Sequence, residues 1–217
     1  VRNIRTALSL MALDKPLHCI EVTSSCPEEG KTTVSLNLAF AFSSLEKVLL
    51  IDADMRKPSL AKRLGLPLYQ PGLANVLAGT EKPEHCIVKN AYQEIDFLPA
   101  GSIPLNPLEL LAGPAFSALL EQLRQQYDKI IIDTPPVQAV SDPLVLAPSM
   151  DAVVLVVRAE HTRRPVVQQT LGLLHQAHAK VYGLVLNRVK PGQHGYYGQY
   201  GYYGETPAAT SGNKSDV

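Results

Sequence analysis

The segment Thr23-Ser24-Ser25-Cys26-Pro27-Glu28-Glu29-Gly30-Lys31-Thr32-Thr33 holds residue types that bind a polyphosphate. A turn that opens a helix presents backbone N–H groups to phosphate oxygens. A lysine there reaches the terminal phosphates, and the first threonine hydroxyl reaches a bound Mg²⁺. The pattern G-x-x-x-x-G-K-[ST] is met at every fixed position except the first, where Ser25 replaces glycine. Ser25, Cys26, Pro27, Glu28, Glu29, Gly30, Lys31, Thr32 and Thr33 are therefore the candidate nucleotide-binding residues.

Two acidic motifs complete the set. Val48 to Arg56 reads V-L-L-I-D-A-D-M-R, with Asp52 closing an apolar run and Asp54 two residues on. Ile130 to Pro136 reads I-I-I-D-T-P-P, with Asp133 directly after a second run and two prolines stiffening the exit. Carboxylates at the carboxyl ends of parallel strands stand where ligands bind in open α/β sheets. Asp133 there can hold Mg²⁺ directly or through water. The plainer alternative for Asp52 and Asp54 is that they cap a helix beginning near Pro58. Cys26 is either a thiol activated by the helix start or a small filler. His175 and His178 stand three apart on an expected helix; with no third ligand in view they read as a solvated face.

These residues need strands to carry them. Continuous β-branched runs predict strands at Cys19 to Thr23, Val48 to Asp52, Ile95 to Leu98, Lys129 to Asp133, Ala152 to Val157 and Val181 to Leu186, as in a sheet buried on both faces. Helical patterns at Lys31 to Ser44, Pro58 to Leu64, Pro114 to Tyr127 and Arg164 to His178 separate them, and Arg2 to Ala12 reads as a leading helix. The stretch from Pro99 to Pro114 reads as loop plus one short helix. The alternation predicts an α/β fold, a doubly wound, mostly parallel sheet flanked by helices.

The whole chain fits one such domain. It has 217 residues, and 46% of them are hydrophobic, which excludes disorder throughout. Charged residues are 18%, below the ~25% of an ordinary soluble domain, leaving apolar surface for partners. Twenty basic residues balance twenty acidic ones, so non-specific nucleic-acid binding is not expected. Three cysteines without a C-x-x-C pair exclude a disulfide scaffold and a zinc finger. After Asn187 the composition changes. Gly192, Gly195, Gly198, Gly201 and Gly204 recur at every third position, with Tyr196, Tyr197, Tyr200, Tyr202 and Tyr203 between them. Residues 1–190 are thus expected to form the folded domain and 191–217 a flexible tail.

Taken together, the loop Ser25 to Thr32, the motif Ile51 to Arg56, the motif Ile130 to Pro136 and the tyrosine cluster resemble the bacterial tyrosine kinases that regulate capsule and exopolysaccharide export. The resemblance implies a P-loop NTPase-type fold, with ATP and Mg²⁺ as cofactors. It implies phosphate neutralisation by Lys31, Mg²⁺ held by Thr32, Asp52 and Asp133, and activation of the tyrosine hydroxyl by Asp52 and Asp54. Asn187 resembles an adenine-contacting asparagine, with a turn residue as the alternative. Tyr196, Tyr197, Tyr200, Tyr202 and Tyr203 would be phosphoacceptors, offered in trans within a ring of identical subunits. Further implied partners are a membrane-embedded co-polymerase segment, fused or separate, and a phosphotyrosine phosphatase. The implied location is the cytoplasmic face of the bacterial inner membrane. The start at Val1 reads as a fragment, cut inside the family's E-x-x-R-x-x-R motif, of which Arg2 and Arg5 remain. Glu28 departs from the family, where glycine is usual. MinD/ParA-like ATPases, which switch without phosphotransfer, are the alternative, but they carry lysine where this chain has Cys26. A non-catalytic nucleotide-dependent interaction module is the third reading.

Overall fold

The computed structural model describes residues 2–11, 16–67 and 69–190. The expected tail and its five tyrosines lie outside them. Helix α1 spans Arg2–Met11 and strand β1 Cys19–Ser24; α2 follows at Lys31–Ser43 and β2 at Val48–Asp52. Three short helices come next, α3 (Leu60–Arg63), α4 (Leu73–Leu77) and α5 (Pro83–Cys86), then strands β3 (Val88–Tyr92) and β4 (Ile95–Leu98). The second half runs α6 (Pro107–Ala112), α7 (Pro114–Arg124), β5 (Lys129–Asp133), α8 (Asp142–Leu146), β6 (Ala152–Arg158), α9 (Arg164–Gln176) and β7 (Val181–Asn187).

The strands form a sheet in the order β3-β4-β2-β5-β1-β6-β7, parallel throughout except for β3, which pairs antiparallel with β4 at the edge. Alternate residues of each central strand enter opposite cores, as the pleat requires. Leu49, Ile51, Ile130, Ile132, Val153 and Leu155 pack on the face covered by α4, α6, α7 and α9. Ile20, Val22, Leu50, Ile131 and Val154 pack on the other, beneath α2 and α1. Both faces are apolar, which is why these segments read as unbroken hydrophobic runs rather than as alternating ones.

The topology decides where the site lies. Strand β1 sits between β5 and β6, and β2 sits on the far side of β5. The carboxyl ends of β1, β2 and β5 therefore stand side by side, with Asp52 in register with Asp133. Leading helix α1 is tied down by Arg5, whose guanidinium donates to the Ala41 carbonyl at 2.8 Å and the Ser44 hydroxyl at 3.2 Å. No helix among the described residues is long and apolar enough to cross a membrane.

Candidate active site

The loop from Ser25 to Gly30 leaves β1 and enters α2, and its shape is held by its own side chains. Glu29 is buried, 1% exposed. Its carboxylate accepts from the Cys26 amide at 2.6 Å, from the Arg158 amide at 3.2 Å and from the Thr162 hydroxyl. One side chain thus closes the loop on itself and fastens it to the end of β6. Gly30 has φ 94°, and a Cβ there would overlap the Asn187 amide. Asn187 in turn donates to the Glu29 carbonyl at 2.9 Å. As positioned, Asn187 braces the loop, and the end of β7 presents Arg188 to the cavity instead. Glu28 is exposed with φ 64°, in the left-handed region that favours glycine. A side chain at this position therefore costs backbone strain, while the Glu28 carboxylate stays in solvent.

A cavity of 370 Å³ opens above this loop, lined by Pro27, Glu28, Gly30, Lys31, Thr32 and Thr33, by Asp54, Arg56, Lys57 and Arg63, and by Pro135 and Pro136. Lys31 lies on its floor. Its Nζ is 3.0 Å from Asp54 Oδ2 and 3.6 Å from Asp133 Oδ2. Burial alone would lower the Lys31 pKa; Asp133 and Asp54 outweigh it, and the net shift is upward. The Ser35 hydroxyl donates to Asp133 at 2.9 Å. Ser25 and Cys26 belong to the loop but do not line the cavity. The Cys26 thiol is pushed up, first by burial and then by Glu29.

The capping alternative is realised by Asp52 in full and by Asp54 in part. Asp52 Oδ2 accepts from the Ser59 and Leu60 amides at 3.3 and 3.1 Å, at the start of α3, and Oδ1 accepts from the Asp54 amide at 3.2 Å. Asp54 Oδ1 accepts from the Lys57 amide at 3.0 Å, leaving Oδ2 to Lys31. Burial, then the neighbouring Asp133, push the Asp52 carboxyl well above the ordinary range. Asp133 is also raised, by burial first, against the opposing pull of Lys31. Asp54 and Asp133 thus share one ammonium, with Asp52 buried beside them. The charge left over, and the Thr32 hydroxyl beside Asp133, fit a divalent cation. Among the described residues no group of three His, Cys, Asp or Glu is arranged to hold a metal alone. His175 and His178 are both exposed, and His178 lies past the end of α9, consistent with the solvated reading.

Several site features are long-range and were not singled out in the sequence. Arg56 is held by a bidentate pair to the buried Asp142, at 2.8 and 2.9 Å. Arg63 donates to the Thr33 hydroxyl at 2.9 Å. The signal for Arg56 was its place in the Asp52–Asp54 motif; for Arg63 there was none.

A strand-to-helix phosphate loop with two strand-end acids, at the carboxyl edge of a parallel sheet, defines a nucleotide-binding P-loop domain of the α/β class. The family model described as an AAA domain matches residues 27–182. The chain is 38% identical over 197 residues to the putative tyrosine-protein kinase EpsB of Ralstonia solanacearum, covering 90% of this chain and 26% of that protein. It is 35% identical over 200 residues to the tyrosine-protein kinase YwqD of Bacillus subtilis, covering 90% of this chain and 84% of that one. The crystal structure of the VpsO kinase domain superposes with a TM-score of 0.81 at 46% identity, covering 87% of this chain and 93% of that one. The chain belongs to the bacterial tyrosine-protein kinase family. It corresponds to the kinase domain of that family and spans 26% of the length of EpsB.

Proposed function

We propose that this domain transfers the γ-phosphoryl group of ATP to tyrosines of the Tyr196–Tyr203 cluster, offered in trans by another copy. The observation that carries the reading is Lys31 poised between Asp54 and Asp133 on the floor of the phosphate-loop cavity. Phosphoryl transfer asks the protein mainly for positioning and charge neutralisation. The loop amides from Glu28 to Thr33 hold the phosphates, and Lys31 neutralises the β- and γ-phosphate charge. Thr32 and Asp133 would hold Mg²⁺, with Asp52 adding charge from behind its backbone partners; the ion would screen the phosphate oxygens. The phenolic oxygen bonds to the γ-phosphorus, and the bond from that phosphorus to the β–γ bridging oxygen breaks. ADP leaves, and Asp54 takes the phenolic proton. Because a free phenol has a pKa near ~10, Asp54 acts late, as the new bond forms.

The remaining proposals follow from the family resemblance. The chain serves exopolysaccharide or capsule synthesis at the cytoplasmic face of the inner membrane. It works with a membrane-embedded co-polymerase segment, assembles as a ring, and is reset by a phosphatase. A MinD/ParA-like switch would use the same fold, but Cys26 lacks the charge that those loops carry at this position. The test is mass spectrometry of the protein after incubation with Mg²⁺-ATP, beside Lys31→Met. Phosphotyrosine on the tail in the wild type alone supports the kinase reading. ATP turnover without phosphotyrosine supports the switch.

A further inference from the structure

The two edges of the sheet are built differently. Strand β3, at one end, has five residues, a register irregularity and the exposed Lys89. Such features stop a further strand from adding. Strand β7, at the other end, has seven residues, V-Y-G-L-V-L-N, with no charge and no proline. It pairs with β6 on one side and, among the described residues, with no strand on the other. Its outer row of backbone N–H and C=O groups is a template for one more strand. We propose that the segment Tyr196–Tyr203 of the same chain folds back and pairs antiparallel with this edge. The proposal stands apart from the kinase reading, since it concerns where the tail rests and not what is done to it.

The edge is uncovered on both faces. Leu184 and Leu186 lie in register with Leu155 and Val157, which places them on the α9 face, and they are 53% and 59% exposed. On the α1 face an apolar groove of 240 Å³ runs between the two elements, lined by Ile4, Ala7 and Met11 of α1 and by Tyr182, Gly183 and Val185 of β7. Gly183 leaves a notch there, because a Cβ on it would meet nothing within 4 Å. A strand laid along β7 sends its side chains alternately to the two faces. Both alternations of the segment carry tyrosines: Tyr196, Tyr200 and Tyr202 in one, Tyr197 and Tyr203 in the other. In either register, rings cover the leucines on one face and the groove on the other, with their hydroxyls left in water.

The place where the chain leaves β7 selects this occupant. Arg188 turns at φ 58°, and Lys190 is paired with Glu160 at 3.6 Å. The tail therefore starts at the edge it would cover, and closing a short loop costs less entropy than recruiting a separate molecule. Pro191-Gly192 supplies the residue types of a reversing turn. The residues from Pro191 to Gly195 span up to ~17 Å, and a neighbouring strand position is only ~5 Å away. Tyr196–Tyr203 matches the length of β7 to within one residue. From Pro191 to Gly204 there is no Asp, Glu, Lys or Arg, which suits an uncharged edge, and tyrosine is a residue that favours strands. A tail held in this way keeps its tyrosines out of another copy's cavity until it is released.

The experiment is hydrogen exchange, read by mass spectrometry, on the full chain without nucleotide. Amides from Tyr197 to Tyr203 are expected to exchange about tenfold or more slowly than in a free peptide of the same sequence. Leu184→Lys combined with Leu186→Lys puts charge along the edge and is expected to bring them to within about twofold of the free-peptide rate. Both leucines are more than half exposed, and thermal melting checks that the domain still folds. Dilution by about a hundredfold is expected to leave the protection unchanged, because the pairing lies within one chain. Wild-type tail amides at the free-peptide rate overturn the proposal, with no variant needed. Protection that survives in the folded double variant overturns it too, since the tail then rests elsewhere. Protection lost on dilution gives the tail to a second copy and overturns the same-chain occupant.

Discussion

Lys31 is the ammonium that two buried carboxylates, Asp54 and Asp133, share, so its removal changes charge more than shape. Lys31→Met is expected to bring tail phosphorylation down by about a thousandfold or more, since the lost charge serves the transferring phosphoryl group. Circular dichroism checks that the variant folds; labelling at the wild-type rate would refute the assignment. Asp54→Asn keeps an acceptor for the Lys57 amide but removes the base, and should cut the single-turnover rate by ~10²–10⁴. ADP affinity should change by less than the rate does. Lost binding with unchanged chemistry would reverse the two roles. Glu21 is a different kind of acid. It lies wholly buried in β1, takes a 3.0 Å hydrogen bond from Thr134, and leaves Oε2 without a partner among the described residues. Burial pushes its pKa up to about 8, against the smaller opposing pull of that hydrogen bond. Between the ordinary carboxylate range and pH 8 the folded chain holds a proton that the unfolded chain releases, so stability falls as pH rises through that window. Glu21→Gln mimics the neutral acid. Its stabilising effect should grow from about 1 kcal/mol at pH 5 to about 4 kcal/mol at pH 8, a rise in Tm on the order of 10 °C across that window. A Tm difference that does not grow with pH would show that Glu21 is ionised in the fold.

At the scale of elements, the loop and its braces behave as a unit. Glu29 joins the loop to β6 and to Thr162, and Asn187 joins it to the end of β7. Glu29→Ala leaves the Cys26 and Arg158 amides without their acceptor and should weaken ADP binding by about tenfold, with a loss of ~1–3 kcal/mol in stability. Titration with a fluorescent ADP and thermal melting check both figures; unchanged affinity would show that the loop keeps its shape without this carboxylate. Such braces mark the limit of what a sequence discloses. Strands β2, β4 and β5 have the bounds their apolar runs predict, because a strand buried on both faces has no competing pattern. Strand β3 was missed. Its five residues are half exposed, and its turn to β4 is built from Gln93 and Glu94 at φ 42° and 66°, without the Asn-Gly that signals such a turn. Helices α4, α5 and α8 have only four or five residues, too few for a helical period to show. The phosphate loop and its three acids were legible because each is contiguous with a strand end. The pairs Arg56–Asp142 and Arg63–Thr33 were not, since 86 and 30 residues separate them.

At the scale of the whole molecule, charge sets the last expectation. Twenty basic and twenty acidic residues leave the chain neutral. Each tyrosine phosphate adds ~−1.5 to −2, so five of them would add roughly −8 to −10 to a body with no excess positive charge to absorb it. Several such tails gathered in one ring would repel, and a phosphorylated tyrosine no longer serves as an acceptor. Helix α1 is the expected contact between subunits. Arg5 is already engaged with the carboxyl end of α2, so any contact must use the rest of the helix, where Leu10 and Met11 are 62% and 57% exposed. The unphosphorylated protein is therefore expected to self-associate through α1, and full tail phosphorylation to disperse it. Salt should blunt the dispersal, because the repulsion is screened over ~10 Å at 0.1 M. Light scattering of the protein reads this out, before ATP, after ATP, and after phosphatase. A mass that falls with phosphorylation and recovers with phosphatase bears out the switch. A mass indifferent to tail phosphorylation at low salt rules it out.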